Sequence, residues 1–305
     1  MPAVAPSSSA FDRRWVGFAL ALLGAIGFSG KAIIVKLAYR HGVDAVTLLM
    51  WRMLLALPFF LAMAWWAGRG KPALMRQDWR DIAVLGFTGY YLASYLDFAG
   101  LAYITASLER LILYLNPTLV LLISVLFFHH RLRARQVVAL AVSYAGVVAV
   151  FAHELSFEGP GTAIGALLVF ASAVSYAVYL ALSGKVVQRL GSLRLAGLAS
   201  TVACALCIVQ FASLRPLSDV AVPEPVLWLS LLNATACTVA PVLMVMLAIA
   251  RIGAPLASQV GMVGPMSTLL MGVFILGEPM NAWIAAGTGL VLGGVFLVSR
   301  PSRQR

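Results

Sequence analysis

Residues 107–122 read SLERLILYLNPTLVLL and combine the length and apolar character of a membrane span with residues that hydrocarbon disfavours. The stretch contains Glu109, Arg110, Asn116 and Pro117. A charge near the middle of a bilayer costs at least about 2.5–3.5 kcal/mol on insertion scales, so charged residues there usually face a cavity or a partner. Because proline has no N–H, Pro117 also predicts a break in the helix at this point.

The composition of the whole chain places this stretch in a membrane protein. The 305 residues are 62% hydrophobic and 11% charged, with a mean hydropathy of +0.94. Soluble domains are about 45–50% apolar and about 25% charged. Because backbone polar groups cannot stay unpaired in lipid, continuous apolar runs without period-two alternation predict transmembrane helices. The predicted fold class is therefore an all-α integral membrane protein.

Ten apolar runs recur along the chain, most of them of the 17–25 residues that cross a bilayer as a helix. The first run is too long for the apolar part of a signal peptide and is predicted to be an uncleaved span. Predicted spans 1 to 10 are residues 15–38, 44–67, 79–101, 104–128, 134–152, 162–184, 193–214, 225–249, 254–276 and 281–299.

The basic residues predict the orientation of these spans. If the N-terminus is cytoplasmic, sixteen of the 22 Lys and Arg residues fall on the cytoplasmic side, three on the other side and three within spans. Short cytoplasmic loops carry such an excess of Lys and Arg. Residues 1–14 and 300–305 are therefore predicted to be cytoplasmic tails of a multi-pass protein of the inner (plasma) membrane. The net charge of +11 then needs no nucleic-acid partner.

An internal repeat divides the chain into two halves. Shifted by 148 positions, residues 102–151 align without a gap on residues 250–299, and Asn116-Pro117 falls on Gly264-Pro265. The predicted halves are residues 15–152 and 162–299, with five spans each. Because five is odd, the second half must enter the membrane from the opposite side. Inverted repeats of this kind are typical of alternating-access transporters.

The sequence resembles the ten-span EamA-type permeases of the drug/metabolite transporter superfamily. The resemblance is carried by three segments: FSGKAIIVKLA at 28–38, LAYITASLERLILYLNPTLVLLISVLFF at 101–128, and ARIGAPLASQVGMVGPMSTLLMGVFILGEP at 250–279. It implies ten helices around a central cavity lined by spans 1, 3, 4, 6, 8 and 9, with spans 5 and 10 at the periphery. The first half lacks the GEP that ends the second, so no role is predicted for that corner.

Five charged residues lie more than three positions from either end of a predicted span: Lys31, Arg52, Asp97, Glu109 and Arg110. Three are basic and two are acidic, so one positive charge is left over, which would suit a carboxylate-bearing substrate. Neighbouring helix residues point about 100° apart, so Glu109 and Arg110 are not expected to pair. Glu109 is a candidate proton carrier, and a purely structural role is the alternative for Arg52, Asp97 and Arg110.

The helix breaks predicted at Pro117 and Pro265 occupy equivalent positions in the two halves. Pro117 would free the carbonyl of Leu113, on the helix face shared by Glu109 and Asn116. Paired breaks in equivalent spans are a pointer to a transport site. Mid-span tyrosines suit an aromatic or amine ligand, with ordinary helix packing as the alternative. The predicted substrate-binding residues are Lys31, Tyr91, Tyr95, Glu109, Tyr114, Asn116, Ser175, Tyr176, Tyr179 and Gln259.

The sequence contains no P-loop, no arrangement for covalent catalysis and no metal-ligand spacing, so no enzyme, cofactor or metal is predicted. Cys204 and Cys207 form a CxxC inside an apolar run, which is typical of buried helix residues. We therefore expect a secondary active transporter that exports small metabolites, amino acids and aromatic ones among them, with protons as a candidate coupling ion. The alternatives are a carrier of drugs, amines or nucleosides and, less favoured, a lipid-modifying enzyme.

Overall fold

A computed structural model describes residues 8–128, 134–158, 161–252, 257, 260–261 and 263–299. These residues are all-helical and include no β-strand, as the sequence predicts. The α-helices are α1 (Ser8–Tyr39), α2 (Ala45–Gly68), α3 (Arg76–Leu85), α4 (Ala93–Leu101), α5 (Ala106–Leu113), α6 (Asn116–Phe128), α7 (Ala134–Glu158), α8 (Gly161–Leu190), α9 (Ser192–Leu214), α10 (Glu224–Ala234), α11 (Ala240–Ile252), α12 (Gly264–Met271) and α13 (Ala282–Ser299).

Six helical segments of the described chain are long and apolar enough to cross a membrane. Shorter apolar helices occupy predicted spans 5, 9 and 10. Predicted span 3 corresponds to a continuous helical segment that runs from α3 to the end of α4. The six long segments are Trp15–Tyr39, Ala45–Gly68, Ala106–Ile123, Gly161–Leu190, Ser192–Leu214 and Glu224–Ile249. The chain is a multi-pass membrane protein by this measure.

The helices pack in pairs that join distant parts of the chain. α2 lies along α9, and α7 lies along α13. α1 packs against α10, α11 and α12, whereas α8 packs against α4, α5 and α6. α1 and α8 are thus the two helices that each hold several others in place.

Three short π-helical segments interrupt the α-helices. Gly86–Leu92 connects α3 to α4, Thr235–Val239 connects α10 to α11, and Gly272–Leu276 extends α12. Such turns insert an extra residue and are frequent at functional sites. The last segment ends at Gly277, whose φ of +74° is left-handed backbone that glycine adopts without steric cost.

The break between α5 and α6 positions the charged stretch from which the sequence argument began. α5 starts at the N-cap Thr105, whose hydroxyl accepts a 3.1 Å hydrogen bond from the Leu108 N–H. The carbonyl of Leu113, predicted to be left open by Pro117, instead accepts a 2.7 Å hydrogen bond from Asn116 Nδ2. The expectation of a free carbonyl is therefore wrong, because the amide side chain folds back to replace the N–H that proline lacks.

Candidate functional site

A buried cluster of three charged residues joins three helices. Lys31 of α1 donates a hydrogen bond to Asp97 Oδ2 of α4, and its Nζ lies 3.5 Å from Glu109 Oε1 of α5. The side chains of Asp97 and Glu109 are 2% and 0% exposed. The Lys31 ammonium therefore lies beside two buried carboxylates, and both belong to residues far from Lys31 in the sequence.

The two carboxyl groups also lie against each other. Asp97 is close enough to Glu109 for the two groups to hydrogen-bond when one is protonated. No N–H or O–H donor among the described residues makes a hydrogen bond to either Glu109 oxygen. Buried charged groups that lack such partners are energetically costly, so Glu109 relies on the nearby Lys31 ammonium and Arg110 guanidinium for compensation.

Arg110 lies beside the cluster and pairs with its neighbour in the sequence. Arg110 Nε is 3.8 Å from Glu109 Oε2, and Arg110 Nη2 donates a 3.4 Å hydrogen bond to the Phe28 carbonyl. The expectation that Glu109 and Arg110 do not pair is therefore wrong. The directions of the Cα–Cβ bonds motivated it, but the long arginine side chain can turn back toward the neighbouring carboxylate.

The helix break of the second half, at the start of α12, contacts α1 at Ser29, two residues before Lys31. Ser29 Oγ donates a 2.6 Å hydrogen bond to the carbonyl of Gly264, at the start of α12. A Cβ placed on Gly264 would lie 3.3 Å from Ser29 Oγ and 3.5 Å from the Tyr114 hydroxyl. Pro265 is the second residue of α12, and Gln259 lies outside the described residues. The structure thus brings Tyr114 and the start of α12 together at Ser29, two residues before Lys31.

Arg52 of α2 is buried near this cluster and has no carboxylate partner. Its Nε donates a 2.9 Å hydrogen bond to Thr238 Oγ1, and its guanidinium carbon lies 5.1 Å from the centre of the Phe98 ring. Arg52 is 6% exposed, and its Nη1 has no hydrogen-bond partner. No ion pair within 4.0 Å involves it among the described residues.

Apart from Tyr114, which lies near Gly264, the predicted tyrosines fall into two groups. Tyr90 and Tyr179 meet edge to face, with 3.2 Å between their hydroxyl oxygens, and Tyr176 stacks on Tyr179. Ser175 Oγ donates to the Thr88 carbonyl at 2.7 Å. These contacts join α8 to the π-helical segment Gly86–Leu92 and correspond to the helix-packing alternative for these side chains.

The second group lies on the opposite side of the same helical run. Tyr91 and Tyr95 are partly buried and pack against the core formed mainly by α1, α2, α9 and the helices around Thr235–Val239. Tyr91 interacts electrostatically with Cys207 of α9, which is also an electrostatic neighbour of Arg52. Tyr91 and Tyr95 therefore belong with the Arg52 side of the core.

Sequence reasoning gave Glu278 no role, yet the structure places it on a helix start in the first half. Its carboxylate accepts hydrogen bonds from Ala106 N at 2.7 Å and from Ser107 N at 3.2 Å. The signal was present in the GEP that ends the repeat, but its partners are about 170 residues away. Beside Glu278 is a cleft of about 470 Å³ lined by Lys36, Tyr39, Arg40, Leu101, Ala102, Thr105, Leu276, Gly277, Glu278 and Pro279.

The remaining clusters offer little for metal chemistry. Within the described ranges, no group of three or more His, Cys, Asp or Glu residues could hold a metal ion. Cys204, Cys207 and Cys237 are buried, free thiols. The charged cluster around Lys31 presents one ammonium and two carboxylates, and α1 contacts the start of α12 two residues before Lys31.

Comparison with known proteins finds relatives that are named as transporters. The chain is 29% identical over 289 residues to uncharacterized transporter YcbK of Bacillus subtilis (strain 168), covering 91% of this chain and 89% of that protein. It is 24% identical to an uncharacterized transporter of Archaeoglobus fulgidus, covering 91% and 95%. A solved crystal structure shares the fold with a TM-score of 0.61 and 20% identity over 96% of each chain.

The family assignment rests on both halves of the chain. The sequence model of the EamA-like transporter family matches residues 15–152 and again residues 163–300. The two matches together span most of the 305 residues. This chain belongs to the EamA-like transporter family of the drug/metabolite transporter superfamily.

Proposed function

We propose that this protein is a secondary active transporter that exports small metabolites, amino acids and aromatic ones among them, across the inner membrane. Its ten spans form two inverted five-helix repeats, residues 15–152 and 162–299, with both termini in the cytoplasm. The observation that carries the proposal is the buried Lys31–Asp97–Glu109 cluster where the breaks of the two halves approach α1.

Equivalent irregularities in the two halves support the inverted repeat. Gly86 and Thr235, the first residues of two π-helical segments, are 149 positions apart. The α5–α6 break precedes Asn116, and α12 begins at Gly264, which the sequence repeat aligns with Asn116. The family model also matches each half separately, which supports a repeat of two similar halves.

The helix pairing is consistent with a twofold relation between the halves. α1 packs on α11 and α12, and α8, its counterpart in the other half, packs on α4 and on α5 and α6. The pairs α2 with α9 and α7 with α13 join equivalent predicted spans. Two halves related in this way can rock about a central site, which is how alternating access operates.

The charged cluster is suited to a substrate that carries an amino group. An incoming ammonium can take the place of Lys31 beside Asp97 and Glu109, so that the buried carboxylates stay paired throughout the exchange. Protons are the proposed coupling ion because Glu109 is a fully buried carboxylate that shares the Lys31 ammonium with a second carboxylate, Asp97. The substrate and the proton would then compete for the same pair of carboxylates.

Counterflow in proteoliposomes tests this function. Wild-type protein should exchange labelled amino acids of at least one class, and Glu109→Gln should lose transport or its dependence on a pH gradient while remaining folded. Glu224→Gln, at the exposed start of α10, is the matched control and should transport like the wild type.

Two other results would change the conclusion. Counterflow of amines, nucleosides or cationic drugs, with none of amino acids, would establish the alternative carrier. Absence of counterflow with every substrate class, from wild-type protein shown to be folded, would contradict secondary transport itself.

A further inference from the structure

The charges of the polar core are not balanced, and the structure shows which one is unpaired. Lys31 lies beside Asp97 and Glu109, and Arg110 lies beside Glu109. Arg52 has no carboxylate within 4.0 Å among the described residues. The sequence predicts one excess positive charge, and the tertiary structure assigns that charge to Arg52.

The surroundings of Arg52 stabilise a cation only in part. Thr238 accepts one hydrogen bond and the Phe98 ring provides a cation–π contact, but Nη1 is buried without a partner. Withdrawing an ion from water costs several kcal/mol even after relaxation of the protein. A cation–π contact offsets only part of that cost. A bound anion would supply the missing compensation.

Asn233, whose backbone is linked to Arg52 through Thr238, carries further unpaired polar atoms. Thr238 Oγ1, which accepts from Arg52 Nε, also donates a 2.8 Å hydrogen bond to the Asn233 carbonyl. The side chain of Asn233 is completely buried, and neither its Oδ1 nor its Nδ2 has a hydrogen-bond partner in the described part of the chain. Buried polar atoms are nearly always paired, so the unpaired Nη1 of Arg52 indicates a place for a polar ligand. The unpaired Asn233 amide belongs to α10, which packs against the helix of Arg52.

Arg52 is also connected to the Lys31 cluster. The guanidinium of Arg52 interacts electrostatically with Asp97, which binds Lys31. Cys237 interacts electrostatically with both Arg52 and Lys31, and its Sγ would lie 2.9 Å from a Cβ placed on Gly30. The unpaired cation and the two carboxylates are therefore parts of one polar region.

We propose that Arg52 binds the acidic group of the substrate, while Asp97 and Glu109 bind its amino group. This inference rests on the proposed transport function and narrows its cargo to molecules with a carboxylate or an equivalent anion, in particular zwitterionic amino acids. Arg52 is almost fully buried in this conformation, so the anion enters when the halves move and is then occluded.

The native cysteines allow a test that does not require a known substrate. The chain has three cysteines, Cys204, Cys207 and Cys237, and all three are electrostatic neighbours of Arg52. The variant Cys204→Ala/Cys207→Ala leaves Cys237 as the single reporter. Its rate of modification is measured with two small methanethiosulfonates of similar size, one carrying a sulfonate and the other a trimethylammonium group.

The anionic reagent should modify Cys237 at least about tenfold faster than the cationic one, because a positive charge in a cleft raises the local concentration of anions. Arg52→Gln should abolish or reverse this preference, and Arg52→Lys should retain it. Arg194→Gln removes an equal charge from the surface, where Arg194 bonds the Pro72 carbonyl, and should leave the preference unchanged.

A matched set of ligands then tests the substrate class. L-Phenylalanine and 3-phenylpropionate should slow the modification of Cys237, and phenethylamine, which lacks the carboxylate, should protect it much less. Arg52→Gln should lose the protection by 3-phenylpropionate. A purely structural arginine would not produce these differences between ligands.

Several results would overturn the role of Arg52. They are equal rates with the two reagents, an anion preference that survives Arg52→Gln, stronger protection by phenethylamine than by the acids, or no modification of Cys237 until the protein is denatured. Counterflow separates the two proposals. If the protein transports substrate but shows no anion preference, the transport function stands and the Arg52 site is rejected. If it shows the anion preference but exchanges no substrate, only the transport function is rejected.

Discussion

Glu278 Oε2 accepts a 2.7 Å hydrogen bond from the hydroxyl of Ser107, so the segment that precedes α13 in the second half is fixed to the start of α5 in the first. The same carboxylate also accepts from two backbone N–H groups at that helix start. The unpaired N–H groups and the dipole of a helix N-terminus favour such an anion. This contact holds α5, and with it Glu109, in position.

Glu278→Ala should destabilise the protein because it removes three hydrogen bonds to a charged acceptor. Each such bond contributes about 1.5–3 kcal/mol, so a loss of about 2 kcal/mol or more in the free energy of unfolding is expected. Thermal unfolding in detergent measures it. Glu224→Ala, at the exposed start of α10, should cost less than about 1 kcal/mol. Equal unfolding temperatures for the two variants would contradict this account of Glu278.

Lys31→Met should cost about 3–5 kcal/mol because it leaves buried carboxylates without their cation. Adding Asp97→Asn should recover part of that loss, so the double variant should be more stable than the sum of the single effects predicts. Equilibrium unfolding of the four proteins gives the coupling energy of the pair.

Lys36→Met is the matched control on the same helix, because Lys36 donates to the carbonyls of Leu101 and Ile104 and forms no ion pair with Asp97. Its combination with Asp97→Asn should be additive within about 0.3–0.5 kcal/mol. If the effects of Lys31→Met and Asp97→Asn are equally additive, the buried ion pair contributes no coupling energy. Lys31 and Asp97 would then not act as one ion-paired cluster.

Gly89→Ala should destabilise the contact between α8 and the π-helical segment Gly86–Leu92. A Cβ at position 89 would lie 2.4 Å from atoms of the Tyr179 side chain, so the ring would have to move. Overpacking of this kind costs about 1–3 kcal/mol. Thermal unfolding should show a lower midpoint for the variant.

Gly184→Ala provides the opposite case in α8, where an added Cβ meets nothing within 4 Å. Alanine is favoured over glycine in a helix by up to about 1 kcal/mol, so this variant should be as stable as the wild type or more so. A Gly89→Ala protein that unfolds no earlier than Gly184→Ala would show that Tyr179 has room to move aside.

Several features of this protein follow from the sequence by itself. Apolar runs predict helices because hydropathy and helix length are properties of contiguous residues. The break at Pro117 is local in the same way, since it follows from a missing N–H. The excess of one buried positive charge can also be counted without coordinates, as can the repeat that aligns Asn116 with Gly264.

Only the tertiary structure decided which residues meet. Lys31 and Asp97 are 66 positions apart, and Glu278 lies 171 positions from Ser107. Such partners are set by how helices pack, which no local pattern records. The same packing divides the mid-span tyrosines into two groups and leaves Arg52, alone among the three intramembrane cations, without a carboxylate in the described part of the chain. The sequence therefore shows which polar residues lie within the predicted spans. The packing of the helices decides which of those residues pair with each other and which remain available to a substrate.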